Sequence, residues 1–380
     1  MIELEVSLLA SISRAKIGNG FLECFCSRDL TAIVRHNLEQ RKLNTCLSWQ
    51  HHICRIPRFC RINDFLDDLG YLVHRARKRV DTVAPFLAQN FRKAFYGRRF
   101  PLSGMRSFIN VEARSLPEAY LDLYLRLGEK GKWGQKESYS VGKKVDRIFE
   151  CESRVAISNV LQEPIVSFAF PGLEDLPTYV GDVLLGSKDY IIGAGYDYTY
   201  HDRIFHRVGG PGGQIAYVIR KLKDTYFSNR AQITTWIPEL DSRIDGPPCF
   251  QRGWFKVEDG TLHFETDWRS REFVYAWYEN IIGMAGLAML VRDCLRDYSG
   301  LELSDEIRYV DKCNSLHVYE RDYDDFERTL STIRQRNGNV DAWNSTDSKS
   351  ISIFGGKALF SSVKEAKQSI FDPVFEKREK

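Results

Sequence analysis

Gly246-Pro247-Pro248-Cys249-Phe250 opens the stretch on which the reading of this chain turns, and Trp268-Arg269-Ser270-Arg271-Glu272 follows it twenty residues later. The paired prolines set Cys249 at a turn, and residues 250–257 and 262–268 read as strands leading out of it. Asn280 then falls inside residues 272–297, a long and mostly apolar segment that reads as a buried helix. Ser315-Leu316-His317-Val318-Tyr319 ends a strand over 308–319, with His317 and Tyr319 pointing the same way. Each residue alone has an ordinary structural explanation. A single cysteine is most often a small buried hydrophobe. Arg269 serves equally as an ion-pair partner, Asn280 as a bridge between helices, and His317 and Tyr319 as a wet strand face.

Working outward, Ser115-Leu116-Pro117-Glu118 has the form of a helix start, with a serine cap, an early proline and an early acid. That helix runs to Gly128. Residues 145–160 alternate as a strand does. Residues 176–186 read as a helix stopped by Gly186, and 214–224 as a helix behind the glycine loop 209–213. Residues 231–237 are a further strand. Helices and strands therefore mix in an α+β pattern, with neighbouring strands expected to run antiparallel rather than in regular βαβ units.

The chain has 380 residues, 43% hydrophobic and 13% aromatic, with a net charge of +3. That composition supports large cores and excludes global disorder, collagen and disulfide-miniprotein readings. No run approaches the roughly 18 apolar residues of a membrane span, and the acids in the first residues argue against a signal peptide, so a cytoplasmic protein is expected, in the host cytoplasm if a bacterial virus encodes it. Nine cysteines, an odd number, fit a reducing compartment. The charge is split. Residues 1–105 hold 17 Lys+Arg against 9 Asp+Glu, and the rest 37 against 42. Three regions are expected: a basic, cysteine-rich, mainly helical accessory region over 1–105, a catalytic domain over 106–330, and a C-terminal extension over 331–380.

Taken in order, Pro248-Cys249, Arg269-Ser270, Asn280 and His317-Val318-Tyr319 resemble the signature of the thymidylate synthase and pyrimidine-nucleotide hydroxymethylase family. The likeness is nearest to its shorter archaeal-type branch, through Asn229-Arg230-Ala231-Gln232-Ile233-Thr234-Thr235-Trp236, Pro247-Pro248-Cys249 and His317-Val318-Tyr319-Glu320-Arg321-Asp322-Tyr323. It reaches back through Tyr198-Thr199-Tyr200-His201-Asp202-Arg203 and covers about residues 115–325. It implies a mixed sheet flanked by helices.

The resemblance also implies a chemistry. Cys249 would add as a thiolate to C6 of a pyrimidine, making C5 nucleophilic toward the one-carbon unit of 5,10-methylene-tetrahydrofolate. Arg269 would stabilise the thiolate and, with Ser270, hold the nucleotide phosphate. Arg230 would reach that phosphate from the second subunit of a homodimer. Asn280 would read the pyrimidine edge, favouring dUMP over dCMP or CMP, and Glu272 would assist. His317 and Tyr319 would bind the sugar, and Tyr200 would polarise the cysteine region. The chain departs from the family at Asn229, where an arginine is usual, at Glu272, where an aspartate is usual, and at Ala276-Trp277-Tyr278. Neither Glu163 nor Asp182 has the spacing of the acid that organises proton transfer. Without a recognisable closing C-terminus or hydride-transfer tryptophan, hydroxymethylation of dUMP is the first expectation. Reductive methylation to dTMP is the alternative, and a catalytically idle nucleotide or nucleic-acid binder is a further one.

Residues 1–105 carry Cys24, Cys26, Cys46, Cys54, Cys60, His51 and His52, without the paired spacing of a zinc ribbon. Buried free thiols and no metal are expected there. The basic residues could bind nucleic acid, although no nucleic-acid motif accompanies them and a solvated face explains them more simply. The glycine loop 209–213 lacks the lysine and hydroxyl of a phosphate loop and reads as a connector.

Overall fold

The computed structural model describes residues 106–138, 145–207 and 210–375. The mainly helical region expected over 1–105, with its cysteines and histidines, lies outside the described residues. The strands in chain order are β1 (Phe108–Ala113), β2 (Lys132–Glu137), β3 (Val145–Ile157), β4 (Val166–Ser167), β5 (Gln232–Thr234), β6 (Phe250–Glu258), β7 (Thr261–Trp268), β8 (Arg271–Glu272), β9 (Ile307–Tyr319) and β10 (Ala342–Trp343). The principal helices are α1 (Leu116–Lys130), α2 (Leu176–Leu185), α3 (Gly213–Asp224), α4 (Tyr278–Ser299) and α5 (Tyr323–Gln335).

One sheet organises these elements in the order β1-β3-β9-β7-β6-β5, with β2 added along β3 and β8 along β9. The expectation of antiparallel neighbours holds for β3 with β9, β6 with β7, β5 with β6 and β2 with β3. It fails for β1 with β3 and for β9 with both β7 and β8, which are parallel. The cause is connectivity: α1 joins β1 to the segment leading to β3, and α4 carries the chain from β8 to β9, so each returns in its original direction.

Alternation explains which face is covered. In β1 the residues Ile109, Val111 and Ala113 are buried while Phe108, Asn110 and Glu112 are exposed. The buried face takes α1, α3 and α4. The other carries cross-strand pairs such as Arg252–Asp267 (2.7 Å) and Lys312–Glu265 (2.6 Å).

The helix starts follow their sequence cues. Ser115 Oγ accepts from the Glu118 N–H at 3.5 Å, but α1 continues past Gly128 and ends at Gly131. Gly186 stops α2 in a left-handed conformation at φ +67°. The glycine loop has a packing role: a Cβ on Gly213 would lie 2.5 Å from the backbone of Ile204 and Phe205. Strand 231–237 shortens to Gln232–Thr234. The helix expected from 272 opens with a π-helical turn, Phe273–Trp277, before α4. Phe273–Ser299 is long and apolar enough to cross a membrane, and 78% of that window is buried within the fold. Its first turns pack with Tyr120, Tyr124 and Phe170 into an aromatic cluster, Tyr120 stacking on Trp277 at 5.7 Å.

Residue 330 lies inside α5, and the chain beyond it packs on the same core. β10 pairs with β4, Ser345 donates to Glu163, and Val363, Ala366 and Phe371 are buried. Among the three buried thiols Cys151, Cys294 and Cys313, burial pushes each upward, Cys313 to about 12.

Arg271 and Asp311 form an ion pair with side chains 2% and 0% exposed. Asp311 also accepts from Trp277 Nε1 at 3.1 Å and Thr266 Oγ1 at 3.2 Å. The guanidinium lies 4.1 Å from the Trp268 ring centre. Removing one partner leaves the other charged and buried. Asp311→Ala is therefore expected to lower unfolding stability by about 3–5 kcal/mol, while Asp267→Ala on the exposed face changes it by under about 1 kcal/mol; denaturant titration of both variants measures the difference.

Candidate active site

Cys249 is half-buried in the turn before β6. Its carbonyl accepts from the Arg269 N–H at 2.9 Å, extending the β6–β7 hairpin to the site. The Arg269 side chain turns back over the same turn, with Nε 3.0 Å from the Pro248 carbonyl oxygen and Nη2 2.6 Å from that of Pro247. The two prolines thus supply fixed carbonyls that hold the guanidinium beside the thiol. Ser270 is buried directly after it.

Tyr200 braces the turn from the other side. Its hydroxyl accepts from the Phe250 N–H at 3.4 Å, and its ring stands edge-on to Phe250 and Trp268. Tyr198 sits 5.9 Å away, ring centre to ring centre. Burial and then Cys249 hold the Tyr198 phenol above its ordinary range, and burial, then Tyr198 and Cys249, do the same for Tyr200, so both remain protonated.

Strand register brings in residues that sequence spacing does not connect. His317 pairs with Glu150 and Tyr319 with Ile148 across β3, whose other neighbour β2 sets Lys136 opposite Asp146. Residues 146, 148 and 150 alternate onto one face, so Lys136, Tyr319 and His317 converge. Lys136 Nζ donates to the Tyr319 hydroxyl at 2.9 Å and lies 3.3 Å from His317 Nε2. His317 Nδ1 is 3.0 Å from the Ser315 carbonyl oxygen. That carbonyl can only accept, so the proton is on Nδ1 and Nε2 accepts from the lysine. Burial, then the Lys136 charge, pushes the imidazole down to about 3. Burial also lowers Lys136, whose field reaches Cys249 and Arg269. Lys136 was not legible in the sequence, because Lys132–Glu137 has no apolar alternation to mark a strand.

Asn280, 7% exposed, donates from Nδ2 to the Tyr179 hydroxyl at 2.6 Å. Tyr179 comes from α2, which lies across α4 at Gly283. The partner fixes the amide and leaves its carbonyl oxygen and second N–H for a ligand. The Glu272 carboxylate accepts from the N–H groups of Val274, Tyr275 and Ala276 at 2.7, 2.6 and 3.1 Å and caps the π turn. Burial raises it to about 7 despite those bonds. The acids weighed for proton transfer separate. Glu163 accepts from Ile165 N and Ser345 N, tying down the C-terminal segment. Asp182 pairs with Lys188 at 2.6 Å one turn beyond Tyr179, and burial raises it. Glu279, next to Asn280, is raised to about 7 by burial, with Lys188 opposing.

Arg230 does not join this group within the chain. It is exposed before β5, whose Gln232 pairs with Trp254. That register sets Arg230 about six residues along β6 from Phe250, roughly 20 Å at ~3.3 Å per residue.

The fold and site define an α+β domain whose half-exposed thiol is framed by an arginine, a lysine and three hydroxyl or imidazole groups. Known proteins share part of this chain's sequence. Residues 188–355 match the family model described as thymidylate synthase, and similar curated relatives are archaeal proteins. Provisionally named thymidylate synthases of Methanococcoides burtonii and Methanosarcina barkeri are 31% and 33% identical over 139 and 138 residues, 37% and 36% of this chain and 60% of each relative. One from Methanothermobacter thermautotrophicus is 31% identical over 158 residues, 41% of this chain and 64% of that protein. The chain thus spans about 60% of the length of the curated relatives it matches. Among solved structures, thermostable thymidylate synthase A from Bacillus subtilis gives a TM-score of 0.44 at 16% identity, covering 57% of this chain and 84% of that one.

A histidine kept neutral in the fold binds fewer protons than its unfolded counterpart, whose pKa is about 6.5. Its contribution to stability is therefore present above pH 6.5 and is lost as pH falls toward 3. His317 is expected to show no titration in its ring NMR signals between pH 8 and 5. Lys136→Met removes the neighbouring cation and should raise the His317 pKa while leaving it below 6.5.

Proposed function

We propose that the domain transfers a one-carbon unit to C5 of a pyrimidine nucleoside monophosphate, dUMP first, through a Cys249 adduct at C6. The observation that carries this reading is the half-exposed Cys249 with Arg269 held beside it by the Pro247 and Pro248 carbonyls. Folate, as 5,10-methylene-tetrahydrofolate, supplies the electrophilic carbon, and exposed Tyr190 and Tyr196 offer aromatic faces to its pterin ring.

Arg269 and Ser270 hold the phosphate and stabilise the thiolate before it adds. Lys136, His317 and Tyr319 bind the sugar and phosphate side, with Lys136 adding a second positive charge. Asn280, steadied by Tyr179, pairs its free amide groups with O4 and N3–H of uracil. Tyr200 holds the turn in place through Phe250. Glu279, which burial raises to about 7, is the acid suited to moving the C5 proton near neutral pH, and burial raises Asp182 as well. Arg230, distant from the thiol of its own chain, reaches the phosphate in a second copy, making the working unit a homodimer.

After the C5 proton is lost and the folate nitrogen departs, the adduct carries an exocyclic methylene. Water adding there, with loss of the Cys249 sulfur from C6, gives 5-hydroxymethyl-dUMP and tetrahydrofolate. Hydride in place of water gives dTMP and dihydrofolate. The polar, titratable group of Lys188, Asp182 and Glu279 supports an ordered water and hence the hydroxymethyl product. The names of the archaeal relatives favour the methyl product as the second reading.

Incubation with dUMP and methylene-tetrahydrofolate should yield 5-hydroxymethyl-dUMP by mass spectrometry with no rise in dihydrofolate absorbance; dTMP with dihydrofolate would replace this product assignment by the second reading. Cys249→Ala should abolish exchange of the C5 hydrogen of dUMP into solvent. Exchange surviving in that variant removes Cys249 from the mechanism.

A further inference from the structure

The residue after Tyr200 begins a second cluster, for which the proposed reaction has no use. Asp189 lies in the short turn Asp189–Ile191, and His201 and His206 bracket the π-helical turn Asp202–His206. One donor atom from each of these three side chains lies within 4.8 Å of the other two. The winding explains the meeting. Residues five apart on an α-helix differ by about 140° in direction at 3.6 residues per turn. Here the chain bonds i to i+5, with Arg207 N donating to the Asp202 carbonyl at 3.0 Å, and the two imidazoles come round to one side. Their rings meet edge to face at 4.8 Å.

Each donor is held. Asp189 Oδ1 accepts from Thr199 Oγ1, and Oδ2 lies 2.7 Å from His201 Nδ1. His201 is 4% exposed and stacks on Phe205. Among the described residues its Nε2 has no hydrogen-bond partner. An ion shared by Asp189 Oδ2 and His201 Nδ1 would replace the hydrogen bond between them and leave the ring proton on Nε2. His206 is exposed and gives an ion a way in. Gly186 provides the room: a Cβ there would lie 2.3 Å from His201 Nδ1 and 2.5 Å from Asp189 Oδ2.

Two imidazoles and one carboxylate, with no thiolate, are a donor set for a borderline divalent ion such as Zn²⁺ or Fe²⁺, water completing the shell. We propose that Asp189, His201 and His206 form a transition-metal site. The ion would tie the turn at 189–191 to the turn at 201–206, the two ends of the segment bearing exposed Tyr190 and Tyr196, and would steady Tyr200 against the thiol turn. The proposal rests on this geometry and stands whatever the product at Cys249.

The test uses the full-length protein, stripped with chelator and titrated with ZnCl₂ or CoCl₂. Bound metal is read by elemental mass spectrometry, stability by calorimetry and ligand type by the cobalt spectrum. At least one equivalent should bind with a rise in Tm, and the cobalt spectrum of that equivalent should lack a thiolate charge-transfer band. His206→Ala, at an exposed position, should keep the metal-free Tm and bind that equivalent at least about 100-fold more weakly, and Asp189→Asn should weaken it likewise. Absence of binding, unchanged binding in His206→Ala, or loss of all bound metal on alkylating the cysteines would each overturn the assignment.

Discussion

The buried pair of Arg271 and Asp311 is the constraint on which the site depends. Arg271 stands two residues after Arg269 and one before Glu272, and Asp311 lies in the central strand that ends in His317 and Tyr319. The pair therefore fixes Arg269 and Ser270, and the start of the helix carrying Asn280, relative to His317 and Tyr319. Two desolvated charges seldom repay their burial by attraction alone. Here Trp277 and Thr266 add hydrogen bonds to the carboxylate, and Trp268 gives the guanidinium a ring face. An apolar pair of the same volume could fill the space without dictating the angle at which β8 meets β9.

From that junction the chemistry is divided by solvation. Glu272 spends its carboxylate on three backbone donors, so the long helix starts at a defined position and delivers Asn280 to Tyr179. On the opposite wall, Lys136 fixes the tautomer of His317 and shares the field of Arg269. Positive charge is thus concentrated in a few aimed groups, inside a region whose overall balance is slightly acidic.

The sequence made much of this legible where a local rule applied. Ser115 and Pro117 announced α1, Gly186 ended α2, and alternation marked the long strands on either side of the site. The order Cys249, Arg269, Ser270, Asn280, His317, Tyr319 carried the resemblance to a family. What escaped was set by tertiary geometry. Parallel pairing of β9 with β7 and β8 follows from the path of α4, which leaves no mark on strand composition. β2 has Trp133 as its one large apolar residue and no alternation, so Lys136 had no pattern to point it out. Tyr179 looked like any residue of an apolar helix until α2 crossed α4. The meeting of Asp189 with His201 and His206 required a π turn, for which five-residue spacing is no signal in an ordinary helix.

The four described cysteines share one polypeptide environment but not one solvent. Cys151, Cys294 and Cys313 sit in apolar surroundings that resist ionisation, while Cys249 opens to water at the end of a turn. Burial alone thereby gives this unit chemical selectivity among its own thiols. An electrophile or oxidant entering the fold meets one accessible sulfur, and the same seclusion that packs the sheet keeps the other three out of the oxidation chemistry that Cys249 must risk.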